Sequence, residues 1–245
     1  MLALGELEKS RRYIEARYKE KNNIDYPVGP CITISRETGT CAKCISEELV
    51  KFLNRKSYVK EPEWTIFDKN LIDKVIEDHN LPGVLKSLMV EEKVSFFASM
   101  INEMLSGLPG QWTLIQKQME TILHLASIGN VIFIGRGAHI ITQELPHSFH
   151  VRLVAPFAER IKKFAELHKI DLGKARTIVE QHDVSRSKYI QTVFNRKPDD
   201  TSLFNLVINT KGLTFRQIAK LIGTAVIERH SYFFSNRESL ITGIS

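Results

Sequence analysis

The stretch Cys31-Ile-Thr-Ile-Ser-Arg-Glu-Thr-Gly-Thr-Cys-Ala-Lys-Cys44 decides the fold. Its first five residues are short and rich in β-branched side chains, the composition of a buried strand. A turn containing Gly39 follows. Beyond it, Ile45, Leu49, Val50, Phe52 and Leu53 recur at helical spacing. Strand, glycine turn, basic residue and helix together are the recipe for a phosphate cradle, because backbone N–H groups and a helix N-terminus supply fixed positive potential. The G-x-x-x-x-G-K-[ST] spacing is not met, since only Gly39 is present. On its own the stretch is equally an ordinary strand-to-helix turn.

Working outward, Thr65-Ile-Phe67 reads as a second strand, with a helix from about Asp68 to His79. Residues 84–108 carry helical periodicity between Pro82-Gly83 and Pro109-Gly110, and Thr113 to Ser127 forms a further helix ended by Gly129-Asn130. Val131–Ile134, His150–Val154 and Leu206–Asn209 are apolar strand signals. Helices are expected over Pro156–Leu167, Lys174–Phe194 and Thr214–Glu228. Continuously apolar strands separated by helices predict an α/β protein with a parallel sheet covered on both faces. Ligands of such sheets bind beyond the carboxyl ends of the strands.

Composition narrows the class. The 245 residues are 43% hydrophobic and 25% charged, which excludes intrinsic disorder. No run of ~20 apolar residues predicts a membrane span, and the first residues do not pattern as a signal peptide. Three cysteines do not make a disulfide scaffold and predict a reducing, cytoplasmic setting. The net charge of +6 is unevenly spread: residues 24–150 carry −3, residues 151–200 carry +4 and residues 201–245 carry +3. That distribution suits a local basic segment over a polyphosphate better than a face for a nucleic acid, for which no motif is present.

The residues after each strand are the functional candidates. Cys41-Ala-Lys-Cys44 opens a helix as C-x-x-C, but no second pair exists and no metal is expected there. Asp68 follows the second strand. Arg136 stands between Gly135 and Gly137 after the third, free to meet a phosphate bidentately or to form a surface ion pair. Arg160 lies in a first helical turn, where the dipole favours an acid, so it asks for an anionic partner. Arg186 and Lys188 are two apart on a helix and face different groups. The N-terminal helix has a weak stripe of Leu4, Leu7, Ile14 and Tyr18 interrupted by Arg11, and reads as an appendage. It and Tyr232-Phe-Phe234 are the surfaces on which a homo-oligomer would be sought.

Taken in order, ITISRETGTCAKCISEELVKFL (32–53), WTIFDKNLID (64–73), VIFIGRGAHIIT (131–142), VRLVAPFAERI (151–161), DVSRSKYI (183–190) and LFNLVINTKGL (203–213) resemble the cytidylate kinase-like family of nucleoside monophosphate kinase relatives. The resemblance implies a P-loop NTPase fold: a five-stranded parallel sheet between helices, with a helical monophosphate-binding region and a lid. It implies transfer of the ATP γ-phosphoryl group to CMP or dCMP with Mg2+. By position, Thr38, Gly39, Thr40, Cys41, Ala42, Lys43 and Cys44 would take the ATP phosphates. Asp68, Lys74, Arg136, Arg160 and Asp183 would serve the acceptor nucleotide. Lys43, Arg136, Arg186 and Lys188 would stabilise the transferring group. Residues 1–30 would be an extension and linker, 31–230 the P-loop domain with its lid at about 156–200, and 231–245 a tail.

Relatives usually read S-R-E-Y-G-S-G-G-R-E in the turn. Cys41 and Ala42 replace two glycines, so a relaxed turn requires negative φ at both. Cys44 replaces the hydroxyl that would ligate Mg2+ in true cytidylate kinases, and is a poor ligand for a hard cation. The alternative expectation is therefore a degenerate relative that binds nucleotide in a regulatory or assembly role.

Overall fold

The apolar strands and amphipathic helices assemble, in a computed structural model, around one parallel sheet. The structure describes residues 2–20, 28–57, 63–78, 98–101, 103 and 113–235. The strands are β1 (Cys31–Arg36), β2 (Thr65–Phe67), β3 (Val131–Ile134), β4 (Ser148–Val154) and β5 (Leu206–Asn209), in spatial order β2-β3-β1-β4-β5. All four pairings are parallel. The helices are α1 (Leu2–Glu20), α2 (Ala42–Lys56), α3 (Lys69–Glu77), α4 (Thr113–Ile128), α5 (Ala138–Ile141), α6 (Phe157–His168), α7 (Leu172–Phe194), α8 (Phe215–Arg229) and α9 (Ser231–Phe234). Among the described residues, no helix is long and apolar enough to cross a membrane. Of the helical pattern at 84–108, only 98–101 and 103 are described, and they are helical; the rest lies outside the described residues.

Alternation along the strands feeds two cores. Ile32, Ile34, Ile132, Ile134, Val151 and Leu153 face α2 and α8, whose Ile45, Leu49, Leu53, Ile218, Ile222 and Val226 are buried against them. Cys31, Phe67, Val131 and Phe133 face α1, α3 and α4 on the other side. The order places β1 between β3 and β4, so the turn after β1 lies at the middle of the carboxyl edge. Caps define several helix starts. Asp171 accepts from the Lys174 N–H at 2.8 Å, which starts α7 two residues earlier than its apolar pattern predicts. Thr214 and Gln217 form a capping box for α8.

The N-terminal helix departs from its reading as an appendage. Tyr13 and Ile14 are buried in the second core, and the Tyr13 ring meets Phe67 edge-on at 5.7 Å. Arg11 pairs with Asp78 at 2.6 Å. The side chains of Leu4 and Tyr18 lie outside the described residues. At the other end, Phe233 is buried and Phe234 packs on the first core, leaving Tyr232 exposed. Two of the three rings expected to offer a partner surface are thus used within the chain.

The turn after β1 also departs from expectation. Ala42 enters α2, but Cys41 sits in the left-handed region at φ 58°. That conformation crowds any Cβ and costs about 1–2 kcal/mol for a non-glycine residue. Gly39, at φ 92°, is required twice over, because a Cβ there would lie 2.4 Å from the Arg160 carbonyl oxygen. Cys41→Gly should relieve strain at a smaller cost in unfolded-chain entropy, stabilising the fold by up to about 1 kcal/mol. Urea denaturation checks this; a lower midpoint would mean that the Cys41 thiol contributes more by packing than the backbone loses.

Three buried histidines set a pH dependence. Burial pulls His139 down to about 3 and His150 and His230 to about 4. His150 Nδ1 lies 2.8 Å from Thr33 Oγ1, and His139 stacks on Phe204 at 4.8 Å. In the unfolded chain each would titrate near 6.5. Below that pH the unfolded state takes up protons that the folded state does not. Their contribution is therefore present above about pH 6.5 and falls toward pH 4, by about 1.4 kcal/mol per pH unit for each histidine. Urea midpoints between pH 7 and 5 should fall steeply, and His139→Gln should flatten the slope; a flat wild-type profile would contradict the buried neutral rings.

Candidate functional site

The centre of the carboxyl edge is built around one carboxylate. The Thr38 backbone N–H and hydroxyl both donate to Asp183 Oδ1, at 2.8 and 2.6 Å. Arg160 Nη1 donates to Asp183 Oδ2 at 2.6 Å and to the Thr38 carbonyl at 3.0 Å. Arg160 Nε donates to the Ala155 carbonyl at 3.1 Å and lies 3.3 Å from Glu37 Oε2. Glu37 Oε2 in turn accepts from the Ala155 N–H at 3.0 Å. Arg186 Nη1 donates to Thr38 Oγ1 at 2.5 Å and reaches Asp183 Oδ1 at 3.5 Å. Charge-assisted bonds of this kind are the strong ones. They fasten α6 and α7 onto the turn after β1.

This network reassigns two expected nucleotide contacts. The Arg160 side chain is only 9% exposed and spends its donors on protein acceptors. The anion it demands is Asp183, with Glu37 beside it, and it braces the turn. Asp183 accepts from Thr38, Arg160 and Arg186, which makes it the rivet of α6 and α7. Arg186 remains half-buried at the turn. Burial lowers its guanidinium, Asp183 opposes that shift and Arg160 adds to it. Lys188 projects from a different face of α7, exposed, so the structure does not bring it to Arg186.

The loop after β3 holds Gly135, Arg136 and Gly137 at φ 79°, 59° and 68°. Three left-handed residues in a row turn Arg136 back toward the sheet end. Its Nη2 lies 3.4 Å from Asp73 Oδ2, and its guanidinium carbon 5.8 Å from the Tyr189 ring centre. Asp73 Oδ1 also accepts from Gln118 Nε2 at 2.7 Å. The Asp68 side chain caps α3, accepting from the Leu71 N–H at 3.0 Å. Lys74 lies in the last turn of α3, half-buried. Lys43 and Asp68 share a cavity of about 610 Å³ between α1, α2 and β2, with Lys9, Arg12 and Tyr13 on its outer wall.

The turn itself suits an anion. The first-turn amides of α2 receive no side-chain cap from Cys41. Thr40 Oγ1 is turned inward to the Glu37 carbonyl at 2.8 Å. Burial lifts the Cys41 thiol to about 11, and the neighbouring Cys44 adds to it, so Cys41 is a neutral thiol at physiological pH. Beside Gly39 lies a cleft of about 230 Å³ between α6 and the loop Thr210–Leu213, carrying Lys162, Lys163 and Lys211.

Several site residues escaped the sequence. Arg36 reads as part of the turn that follows the first strand, yet it ends β1 and its head group rests on Gly135. Asp73 lies within a predicted helix, and only the fold brings it to Arg136. The basic loop after β5 followed the rule of strand carboxyl ends and could have been found by applying it to the last strand.

Residues 31–212 match the cytidylate kinase-like family. The chain is 27% identical over 82 residues to a cytidylate kinase of Thermoplasma acidophilum, covering 34% of this chain and 44% of that one. It is 32% identical over 96 residues to a cytidylate kinase of Staphylothermus marinus, covering 38% and 52%. The chain thus aligns with about half the length of these relatives. A crystal structure of an uncharacterized protein from Eubacterium ventriosum superposes with a TM-score of 0.61 at 19% identity, over 81% of this chain and 98% of that one. With three quarters of its length matched and the sheet, turn and arginine loops in place, the chain belongs to the cytidylate kinase-like family.

Proposed function

We propose that the protein is a nucleotide kinase that transfers the γ-phosphoryl group of ATP to a nucleoside monophosphate, CMP or dCMP. The observation that carries this reading is the gathering of the β1 turn, Arg136 and Arg186 at one carboxyl edge, from three segments distant in the chain. The donor phosphates would lie on the turn from Thr38 to Cys44, where the first-turn amides of α2 take no side-chain cap from Cys41. The donor base would occupy the cleft beside Gly39, with Lys162, Lys163 and Lys211 around it. The acceptor would lie on the β2–β3 side, near Asp68 and Arg136. Arg186, already seated on Thr38, would hold the transferring group in line and offset its charge. Lys43 would approach from the exposed side of α2.

ATP phosphates fit the turn through the first-turn amides of α2, which Cys41 leaves without a side-chain cap. Protein ligation of Mg2+ at the turn does not fit. Cys44 offers sulfur at the expected hydroxyl position, and the Thr40 hydroxyl is committed to Glu37. Among the described residues, no three acidic, cysteine or histidine side chains cluster to hold a metal.

The thiol at position 44 favours a second reading, in which the protein binds nucleotide for a regulatory or assembly role without turnover. An ATP-consumption screen with Mg2+ across CMP, dCMP, UMP and AMP separates the two. The kinase reading expects turnover strongest with a cytidine monophosphate, and a loss of about 100- to 1000-fold in kcat/KM for Arg136→Ala. Cys44→Ser should raise kcat by restoring an oxygen ligand. Calorimetric binding of ATP or CMP with no turnover by any acceptor would establish the second reading instead.

A further inference from the structure

Arg36 ends β1 and forms no ion pair among the described residues. Arg160 and Arg186 share Asp183, and Arg136 has Asp73. Arg36 makes no hydrogen bond or ion pair among the described residues, although it is half-buried. Its position is enforced from below: a Cβ on Gly135 would come within 1.8 Å of Arg36 Nη1, so only glycine leaves room for the guanidinium over the end of β3. Burial lowers the group to about 10, the positive charges of Arg186 and then Arg136 push it the same way, and only Asp68 acts against them.

A charge withdrawn from water without a partner is costly, and a chain retains one where a ligand completes it. The guanidinium fork matches the oxygens of a phosphate. Its location selects which phosphate. Gly135 belongs to the β3 loop and Asp68 to the β2 end, whereas the Gly39 cleft and Thr210–Leu213 lie on the β4–β5 side.

We propose that Arg36, with Arg136, binds the dianionic phosphomonoester of the acceptor, making it a specificity residue for a terminal phosphate over a neutral nucleoside. This rests on the kinase reading for the identity of the acceptor, but not for the presence of an anion site. The test is thermal denaturation of the full chain, alone and with millimolar inorganic phosphate or CMP, for wild type, Arg36→Met and Arg36→Lys. Wild type should be stabilised by both ligands and not by cytidine. Arg36→Met keeps the apolar stem and removes the charge; it should melt no lower than wild type when ligand-free and lose the ligand-induced shift. Arg36→Lys should retain part of the shift. In turnover, Arg36→Met should raise the acceptor KM about 10- to 100-fold while the ATP KM changes less than twofold.

The proposal is overturned if wild type does not respond to phosphate or CMP. It is also overturned if Arg36→Met keeps the full shift, or if both KM values rise together. Absence of turnover in wild type would overturn the kinase reading while the thermal shifts still decide the role of Arg36.

Discussion

The grip of the Asp183 carboxylate on the amide and hydroxyl of Thr38 is the constraint on which the site depends. It joins residues 145 positions apart in the chain and ties a strand-to-helix turn to α7. Both oxygens are used, one toward the turn and one toward Arg160. Without that carboxylate, Arg160 would be a charge buried beside a backbone carbonyl with only Glu37 to answer it, and α6 would lose its anchor. The same grip orients Arg186 onto Thr38. Arg186, which the proposed kinase reading sets against the transferring phosphoryl group, is therefore held by the same carboxylate that fastens α6 and α7.

Carboxylates at this edge are shared among the arginines, with a remainder. Asp183 answers Arg160 and Arg186, Glu37 assists Arg160, and Asp73 answers Arg136. Arg36 is left over, and Arg152 is only partly answered: its single hydrogen bond runs to Ser35 Oγ at 3.1 Å, and burial lowers its guanidinium. Of the basic residues in the segment 151–200, Arg160 and Arg186 are paired at the turn, whereas Lys162 and Lys163 line the cleft beside Gly39. The residual cation that matters comes from β1, in the half of the chain that is acidic overall. Net charge summed over a segment points to a region, but pairing within the fold decides which of its cations stay without a carboxylate.

The strands were legible because both faces of this sheet are covered, so Val131–Ile134 is apolar throughout and Ile32–Ile34 is broken only by Thr33, whose hydroxyl is paired with His150. The turn was legible as a strand, a glycine and a helix, and Gly39 has the close approach that such a turn needs. Cys41 was not, because nothing local distinguishes a cysteine forced into the left-handed region from one that opens a helix normally. Arg160 was legible as a residue needing an anion, but nothing in the spacing revealed that Asp183 supplies it across two helices. In α1 the buried pair is Tyr13 and Ile14, adjacent in sequence. A search for a stripe at three- and four-residue spacing finds Ile14 and passes over Tyr13, and it counts Arg11 as a flaw although Asp78 completes it.

The sheet also needs more chain than the family-matched segment contains. One face is closed by α8, where Ile218, Ile222 and Val226 are fully buried beyond residue 212. Burial of each such side chain contributes about 1.5–3 kcal/mol, and their loss would expose Ile32, Ile34 and Ile132 as well. The other face takes Tyr13 and Ile14 from before residue 31, and the Tyr13 hydroxyl donates to the Gly129 carbonyl at the turn into β3. That turn fixes where β3 begins, and β3 carries Gly135 and Arg136 at its far end. A helix outside the matched segment thus supports the strand that positions the arginines, while its Lys9 and Arg12 wall the cavity shared by Lys43 and Asp68.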